Sequence, residues 1–462
     1  MTKEESPRSS RSRRKPSSLY EKLWPEQREI YEVARSQNGF ALLAEQRVGK
    51  TYIAGALVEE REPDGVIVVA LKTNLRSPWA EFFEEYLPDY QIFYDWDAFR
   101  KAGGLKVFLV NYESFHKHVD KVVRFGKTRD VMIIFDEAQK LANRGSRNSR
   151  LARKLRHITW RLALTGTPMD DSPIDLWGIM RFVEPTALGI DWSPFVSKYC
   201  RKTGYMGHDV VFRDTMEREF TRKIKPYVLR VTKEEAGVLR ANVKWIPVKM
   251  VGTQRRLYDQ FEQDMVLKVR GAKIKAPLKI THIGKLQQMT GGQVKDEDGE
   301  WIVIGHAKER ALRKLLETLE PPVVVFCKFK PEIRVIRRVL YERSTRVGTI
   351  TGAIKDRKRN LRRTRVIHKL QRGELDYLVC QQQTGGVGVD YSIANHGVAY
   401  SYSHSWRDFD QMTSRLDNKA RKKAATFWCL FVPHTVDNDI KDAIGNKATV
   451  TSVTLNRLRR RK

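Results

Sequence analysis

The sequence is poor in cysteine, lacks long apolar runs and is short of acidic residues. Its four cysteines are far apart in 462 residues and form no Cys-x-x-Cys pair, so they are most simply reduced thiols in a cytosol-like compartment. A membrane-spanning helix is not expected, because no run of about 18 apolar residues occurs. The N-terminal residues include Arg and Ser but no apolar segment, which argues against a secretory signal.

Acidic residues are far fewer than basic ones, which leaves a large positive charge. Lys and Arg total 86 against 55 Asp and Glu, which gives a net charge of +31. Such an excess attracts polyanions and supplies phosphate contacts. The basic residues are spread along the chain rather than gathered on one amphipathic helix. Nucleic acid is therefore a better-matched partner than a membrane surface.

Short apolar, β-branched runs recur in both halves of the chain, separated by helix-compatible segments. Such runs indicate buried parallel strands, and their alternation with helices predicts α/β layers. The runs are residues 40–43, 66–70, 107–110, 131–135, 162–164, 323–326, 349–350, 377–379, 397–400 and 427–431.

The length allows two or three domains. Composition divides the chain into a disordered basic tail (1–18), a first α/β region (19–245) with a helical insertion near 171–245, a second α/β region (246–452) with a helical insertion near 253–300, and a basic tip (453–462). Within the second insertion, residues 266–279 are strongly basic. They could lie along a nucleic-acid groove or form an ordinary solvated surface.

A candidate phosphate loop follows the first apolar run. Gly49 lets the backbone approach a phosphate, Lys50 supplies a cation, and Thr51 can ligate Mg²⁺ at a helix N-terminus. Ala44 stands where the complete motif has its first glycine. Taken alone, this triplet would equally fit a strand, turn and helix with a solvated lysine.

Paired carboxylates follow another apolar run. Asp136 and Glu137 come directly after residues 131–135. An acid at the carboxyl end of a buried strand is where Mg²⁺ is held across from a phosphate loop. We therefore expect Asp136 to hold the metal, and Glu137 to orient and deprotonate the attacking water.

The tetrapeptide Asp136-Glu137-Ala138-Gln139 resembles the Asp-Glu-Ala-His box of superfamily-two helicases, specifically the Swi/Snf-type DNA translocases and their shorter phage and bacterial relatives. Other segments resemble that family's motifs in the same order. They are residues 24–27 (Q motif), 68–70 with Trp79 and Glu81 (Ia), 111–113 (Ib), 164–169 (Leu-Thr-Gly-Thr-Pro), 228–235, 254–258, 324–327 (IV), 351–352 with Arg357, 384–390 (V), Trp406, and 411–418 (VI).

The resemblance implies two RecA-like parallel-sheet lobes with helical insertions, with ATP and Mg²⁺ as cofactors and double-stranded DNA as the partner. Single-stranded DNA or RNA is the alternative partner. A monomer in the cytoplasm of a bacterial or phage-infected cell is the simplest expectation. Two other functions stay open: a strand-separating helicase, and a nucleic-acid-binding protein with an impaired motor.

The resemblance also assigns roles to individual residues. The catalytic residues would be Glu137, Lys50, Arg415 and Gln411. Nucleotide would contact Gln27, which can read the adenine edge, and Arg47, Val48, Gly49, Lys50, Thr51, Asp136, Gly388 and Asp390. The metal ligands would be Thr51 and Asp136. DNA would contact Lys72, Trp79, Asn111, Tyr112, Lys328, Thr384 and Trp406. Taken alone, Trp79 and Trp406 fit core aromatics equally well.

Three positions depart from the family pattern. Arg47 stands where glycine is usual, and Gln139 replaces histidine. The largest departure is Asn418, which occupies the place of the second arginine of motif VI, the arginine finger. Such a finger contributes about 10³–10⁵ in rate in well-studied phosphoryl-transfer systems. Lys419 and Arg421 are the nearby cations that could substitute.

Overall fold

The chain divides into two compact units with the boundary between Thr232 and Lys233. The computed structural model describes residues 18–166, 173–203, 209–264, 266–269, 271–275, 279–351, 357–382, 391–419 and 421–456. The predicted boundary at 245 is too late. The strand Asn242–Pro247 pairs in parallel with Thr426–Phe431, which belongs to the second sheet, so the chain has already crossed to the second unit.

The first unit is built on a seven-stranded parallel sheet with the order β3-β4-β2-β5-β6-β1-β9. Apolar, β-branched strands suit its centre because both faces are covered. The strands of this unit are β1 (Gly39–Ala44), β2 (Gly65–Ala70), β3 (Gln91–Phe93), β4 (Lys106–Asn111), β5 (Val131–Asp136), β6 (Trp160–Thr165), β7 (Cys200–Thr203), β8 (Asp209–Phe212) and β9 (Val228–Val231). Strands β7 and β8 form a separate antiparallel hairpin.

Helices connect these strands, and several cap themselves with short polar side chains. Ser146, for example, accepts a hydrogen bond from the Ser149 amide at the start of its helix. The helices are α1 (Ser18–Lys22), α2 (Pro25–Arg35), α3 (Lys50–Arg61), α4 (Glu81–Tyr86), α5 (Trp96–Lys101), α6 (Tyr112–Phe115), α7 (Val119–Phe125), α8 (Arg147–Lys154), α9 (Ile174–Val183), α10 (Pro185–Leu188), α11 (Trp192–Tyr199) and α12 (Glu217–Ile224).

The second unit repeats the plan with a six-stranded parallel sheet, β10-β19-β18-β15-β17-β16. Its strands are β10 (Asn242–Pro247), β11 (Val266–Val269), β12 (Ala272–Lys275), β13 (Gln293–Lys295), β14 (Trp301–Val303), β15 (Val323–Cys327), β16 (Val347–Ile350), β17 (Tyr377–Gln381), β18 (His396–Ala399) and β19 (Thr426–Phe431). Its helices are α13 (Thr253–Asp264), α14 (Lys279–Thr290), α15 (Ala307–Leu316), α16 (Lys330–Tyr341), α17 (Arg357–Gln371), α18 (Trp406–Thr413) and α19 (Val436–Asn456).

The predicted fold class is confirmed, and each of the ten apolar runs contributes to a strand of one of the two sheets. The two insertions contain more than helices, because they also include the hairpins β7–β8, β11–β12 and β13–β14. Most of the predicted tail lies outside the described residues, and Ser18, its last residue, begins α1. All four cysteines are buried and free. Among the described helices, none has the length and apolar character needed to cross a membrane.

A buried ion pair ties two elements of the second unit together. Lys308 of α15 lies 2.7 Å from an Asp437 carboxylate oxygen of α19, and neither side chain is more than 1% exposed. Asp437 also accepts hydrogen bonds from the Thr290 hydroxyl and the Val432 amide. The Asp437 oxygens are therefore well supplied with donors, as a buried carboxylate requires.

This arrangement predicts strong coupling between the two charges. Lys308→Met alone should lower the free energy of unfolding by about 3–5 kcal/mol, because it leaves a buried carboxylate uncompensated. Adding Asp437→Asn should recover most of the loss. Urea unfolding followed by tryptophan fluorescence measures the cycle. Single-variant losses that simply add in the double variant would contradict the coupling.

Candidate functional site

The phosphate loop lies between the end of β1 and the start of α3. Arg47 and Gly49 both have positive φ, 71° and 86°, which curls the loop back on itself. At Gly49 a side chain is excluded, since an added Cβ would lie 2.1 Å from the Gln27 amide nitrogen. The positive φ of Arg47 explains why related sequences favour glycine there. Helix α3 begins at Lys50, directly after Gly49, so the partial positive charge of its N-terminus lies at this loop.

Gln27 supports this loop from α2. Its side-chain nitrogen donates to the Val48 carbonyl at 2.8 Å, and its oxygen accepts from the Trp24 amide at 2.9 Å. The side chain is buried. Gln27 thus fixes the loop geometry, and its predicted contact with adenine stays a prediction.

Lys50 folds over the same loop. Its ammonium donates to the carbonyl oxygens of Ala44 (2.9 Å) and Glu45 (3.3 Å). A Cβ added to Gly166, just beyond β6, would lie 3.5 Å from the Lys50 nitrogen. The segment after β6 therefore begins beside the phosphate loop.

Asp136 ends β5 at the same edge of the sheet. In the strand pairing Asp136 stands opposite Leu164, and the next residue, Thr165, stands opposite Leu43. The carboxyl ends of β1, β6 and β5 therefore meet where ligands bind to open parallel sheets. The charge of Lys50 acts on Asp136, which agrees with this proximity.

The Asp136 carboxylate is held by three donors. Its Oδ2 accepts from the Asn74 amide and the Trp79 indole, both at 3.1 Å, and its Oδ1 accepts from the Glu137 amide at 3.0 Å. Burial raises the pKa of Asp136, and the charge of Glu137 raises it further, whereas the two side-chain donors and Lys50 oppose the rise. The donors therefore orient the carboxylate and favour its charged form.

Glu137 belongs to a second chain of hydrogen bonds. The Gln139 side-chain nitrogen donates to the Glu137 carboxylate at 2.5 Å, and the Thr165 hydroxyl donates to the Gln139 oxygen at 2.6 Å. Glu137 itself has a positive φ of 55°. Gln139 thus links the carboxylate to the end of β6 without a titrating group, which a histidine would introduce.

Two residues predicted to touch DNA are buried in this network. Trp79 is 1% exposed and bonds to Asp136. Tyr112 is also buried, and its hydroxyl donates to the Asp136 carbonyl at 2.8 Å. Their prediction as DNA contacts is wrong, because neither ring surface is accessible for stacking. Lys72 is exposed, while Asn111 is half-buried and caps α6 by accepting from the Ser114 amide.

The residues of motif VI lie in the second unit. Gln411 is buried in α18, and Arg415 is half-buried in the short turn that follows. The Arg415 carbonyl accepts from the Tyr391 amide at 3.2 Å. The site roles of Gln411 and Arg415 stay predictions.

A buried ion pair fixes the chain next to the finger position. The Lys233 ammonium lies 2.6 Å from both the Asp417 carboxylate and the Ser414 hydroxyl. Asp417 also accepts from the Ala241 amide at 2.7 Å, and Asn418 forms a β-bridge with Leu239. The backbone of residue 418 is therefore held in place by the segment that opens the second unit.

The two cations considered as substitutes for the finger differ. The Arg421 guanidinium donates to the carbonyls of Ser392 (2.9 Å) and Ala394 (2.7 Å) and to the Asn395 side chain (2.9 Å). Those bonds commit Arg421 to a structural role. Lys419 lies close to Gly237, where an added Cβ would be 3.6 Å from the lysine Cε.

The remaining second-unit predictions concern Lys328 and Trp406. The Lys328 ammonium donates to the Gln287 side chain at 2.6 Å, and burial lowers the pKa of Lys328. Trp406 is half-buried at the start of α18, with its ring 6.2 Å from that of Phe409. Thr384, Gly388 and Asp390 lie outside the described residues, as does the end of the Leu-Thr-Gly-Thr-Pro segment.

Sequence reasoning missed Asn74 and the Lys233–Asp417 pair. Asn74 had a weak signal, since it is a polar residue five positions before Trp79 in segment Ia. The pair had none, because its members are 184 positions apart and only the fold brings them together.

Comparisons with known proteins agree with this geometry. The family model described as SNF2-related domain matches residues 18–292, and the helicase conserved C-terminal domain matches residues 307–417. The putative ATP-dependent helicase/translocase YwqA of Bacillus subtilis is 22% identical over 89% of this chain and 46% of its own length. The chromodomain-helicase-DNA-binding protein 1-like of Mus musculus is 22% identical over 91% of this chain and 48% of its own.

A solved structure also aligns over most of the chain. The Sulfolobus solfataricus SWI2/SNF2 ATPase core in complex with dsDNA covers 95% of this chain and 96% of its own, with 18% identity and a TM-score of 0.43. The chain spans less than half the length of the two curated relatives.

The donors around Asp136 generate a direct prediction. Trp79→Phe keeps the ring but removes the indole N–H, so the carboxylate should hold Mg²⁺ less well. We expect the Mg²⁺ concentration at half-maximal ATP hydrolysis to rise about 10–100-fold, as for other supporting residues of metal sites. Trp406→Phe is the matched control and should leave that midpoint unchanged. An unchanged midpoint with weakened DNA binding in the Trp79 variant would instead restore the DNA-contact role.

Proposed function

The chain belongs to the SNF2-related family, and we propose that it is an ATP-driven motor that moves on double-stranded DNA. The observation that carries the proposal is the meeting of Lys50, Asp136 and the Glu137–Gln139–Thr165 chain at one edge of the first sheet. The described residues fit Mg²⁺-ATP, because they combine a helix N-terminus, an ammonium, a hydroxyl and a buried carboxylate.

Each residue then has a defined task. Lys50 and the first amides of α3 would bind the phosphates, and Thr51 and Asp136 would hold Mg²⁺, which would neutralise charge on the phosphate oxygens. Glu137 accepts a proton from the attacking water, with its carboxylate oriented by Gln139. Arg415 is the proposed contribution from motif VI.

The same network offers a route from DNA to the carboxylates. Segment Ia supplies Asn74 and Trp79 to the Asp136 side chain, and segment Ib supplies Tyr112 to the Asp136 carbonyl. Both segments lie on the DNA side in the family that the sequence resembles. If binding to duplex phosphates moved either segment, the hydrogen bonds to Asp136, the proposed metal ligand, would therefore change directly. Lys72, which is exposed and two positions before Asn74, is the proposed phosphate contact in this segment.

We also propose that the protein acts as a monomer in the cytosol of a bacterial or phage-infected cell. Bacterial relatives support this setting. Sedimentation with and without duplex DNA tests the monomer.

Steady-state ATP hydrolysis tests the motor directly. Duplex DNA should stimulate turnover at least tenfold, and more than single-stranded DNA or RNA of equal length. Glu137→Gln should abolish this turnover while retaining nucleotide and DNA binding, since it removes only the proton acceptor. Turnover that duplex DNA leaves unchanged would contradict the proposal, and preference for a single-stranded tail would favour the strand-separating helicase.

The second candidate function is a DNA-binding protein with an impaired motor, which Asn418 favours. The backbone of residue 418 is bridged to Leu239 and Arg421 is held by carbonyl groups, so the guanidinium normally supplied by the finger is missing from this position. Asn418→Arg should then raise the maximal turnover at least tenfold with little change in the KM for ATP. Asn418→Gln is the uncharged control. Equal rates in all three proteins would show that another group already supplies the charge.

A further inference from the structure

Helix α17 (Arg357–Gln371) of the second unit is unusually basic. Residues 357–372 contain six arginines and two lysines and no acidic residue. Five of these cations, at positions 358, 362, 365, 369 and 372, recur at alternating spacings of four and three residues. That spacing places them along one helical stripe of about 21 Å, at about 1.5 Å per residue.

The described part of the stripe, Arg365, Lys369 and Arg372, is exposed. Another face of the helix packs inward: Leu370 is fully buried, and Val366 contacts the core beside Gly348 of β16. Helix α17 packs against β16, which is an edge strand of the second sheet.

The stripe is costly to the isolated protein. Like charges three or four residues apart on a helix repel each other, and here every neighbouring pair in the stripe is of like charge. Two other arginines of this unit have acidic partners, Arg338 with Glu309 at 2.7 Å and Arg313 with Glu342 at 2.9 Å. Within the described part of the chain, Arg365 and Lys369 have no ion pair, and only Arg372 pairs with a carboxylate, Glu374.

We propose that the exposed end of this stripe, Arg365, Lys369 and Arg372, is a docking surface for the phosphate backbone of duplex DNA. A line of regularly spaced cations matches a line of phosphates, and arginine, which dominates α17, binds phosphate oxygens in pairs. A membrane surface fits poorly, because an interfacial helix needs a free apolar face and that of α17 is buried in the core. The stripe reads no sequence, since phosphate contacts position a protein without specifying bases.

This inference rests on the proposed DNA motor and extends its footprint beyond the motif segments. None of the stripe residues belongs to the nucleotide site or to the predicted DNA contacts. The stripe would add sequence-independent affinity for duplex DNA to the second unit.

The experiment compares Arg365→Gln/Lys369→Gln with the parent protein. Binding of a labelled mixed-sequence duplex is followed by anisotropy between about 50 and 200 mM salt. Loss of two phosphate contacts should lower the slope of log K against log salt by about 1.8, so the parent should lose about tenfold more affinity than the variant over this range. Basal ATP hydrolysis should be unchanged. The melting temperature without DNA should be equal or higher, because repulsion along the helix is relieved.

The matched control is Arg334→Gln/Arg337→Gln on α16, which removes two exposed arginines from the same unit. It should keep the parent slope. Equal salt slopes in the parent and the α17 variant, or an equal loss of slope in the control, would overturn the proposal. DNA stimulation of ATP hydrolysis, measured on the same samples, reports separately on the motor itself.

Discussion

The candidate site of the first unit depends on the hydrogen bonds that are donated to one buried carboxylate, that of Asp136. Asp136 ends a central strand, where burial alone would favour its neutral form and spoil it as a metal ligand. The Asn74, Trp79 and Glu137 donors counter that tendency and fix the direction of the carboxylate. Because Asn74 and Trp79 lie in one segment, the geometry of that segment and the state of the carboxylate cannot change independently.

The second unit uses the same principle with full ion pairs. Lys233–Asp417 holds the start of the unit against motif VI, and Lys308–Asp437 ties α15 to α19. Buried pairs of this kind specify one packing arrangement, since breaking either partner leaves a charge without compensation. Asn418 occupies the position that lacks the expected arginine. Its backbone is held in place by the bridge to Leu239, and only its side chain departs from the family pattern.

Much of the fold was predictable, because central parallel strands are continuous apolar runs and both sheets contain them. The boundary was harder to place. Strand β10 contains Lys244 and is largely exposed, so its sequence lacks the continuous apolar run of a central strand. Only its pairing with β19 shows that it belongs to the sheet. The hairpins in the insertions are short and mixed in polarity, which hid them for the same reason.

The site was predictable where chemistry depends on adjacent residues, as with Gly49-Lys50-Thr51 and Asp136-Glu137. The site was not predictable where the same side chain can have either of two roles. Trp79 and Tyr112 have the composition of stacking platforms, yet their polar atoms face the carboxylate and their rings are buried. Sequence identifies such residues as important without fixing which neighbour they serve.

Lys50 and Asp136 should form one site for a metal-bound nucleotide. Calorimetry with a non-hydrolysable ATP analogue, with and without Mg²⁺, measures this. Mg²⁺ should tighten binding to the parent protein; Asp136→Asn should remove this gain, while Lys50→Ala should weaken binding in both conditions. Binding that is equally tight with and without Mg²⁺, or a metal effect that survives Asp136→Asn, would contradict it.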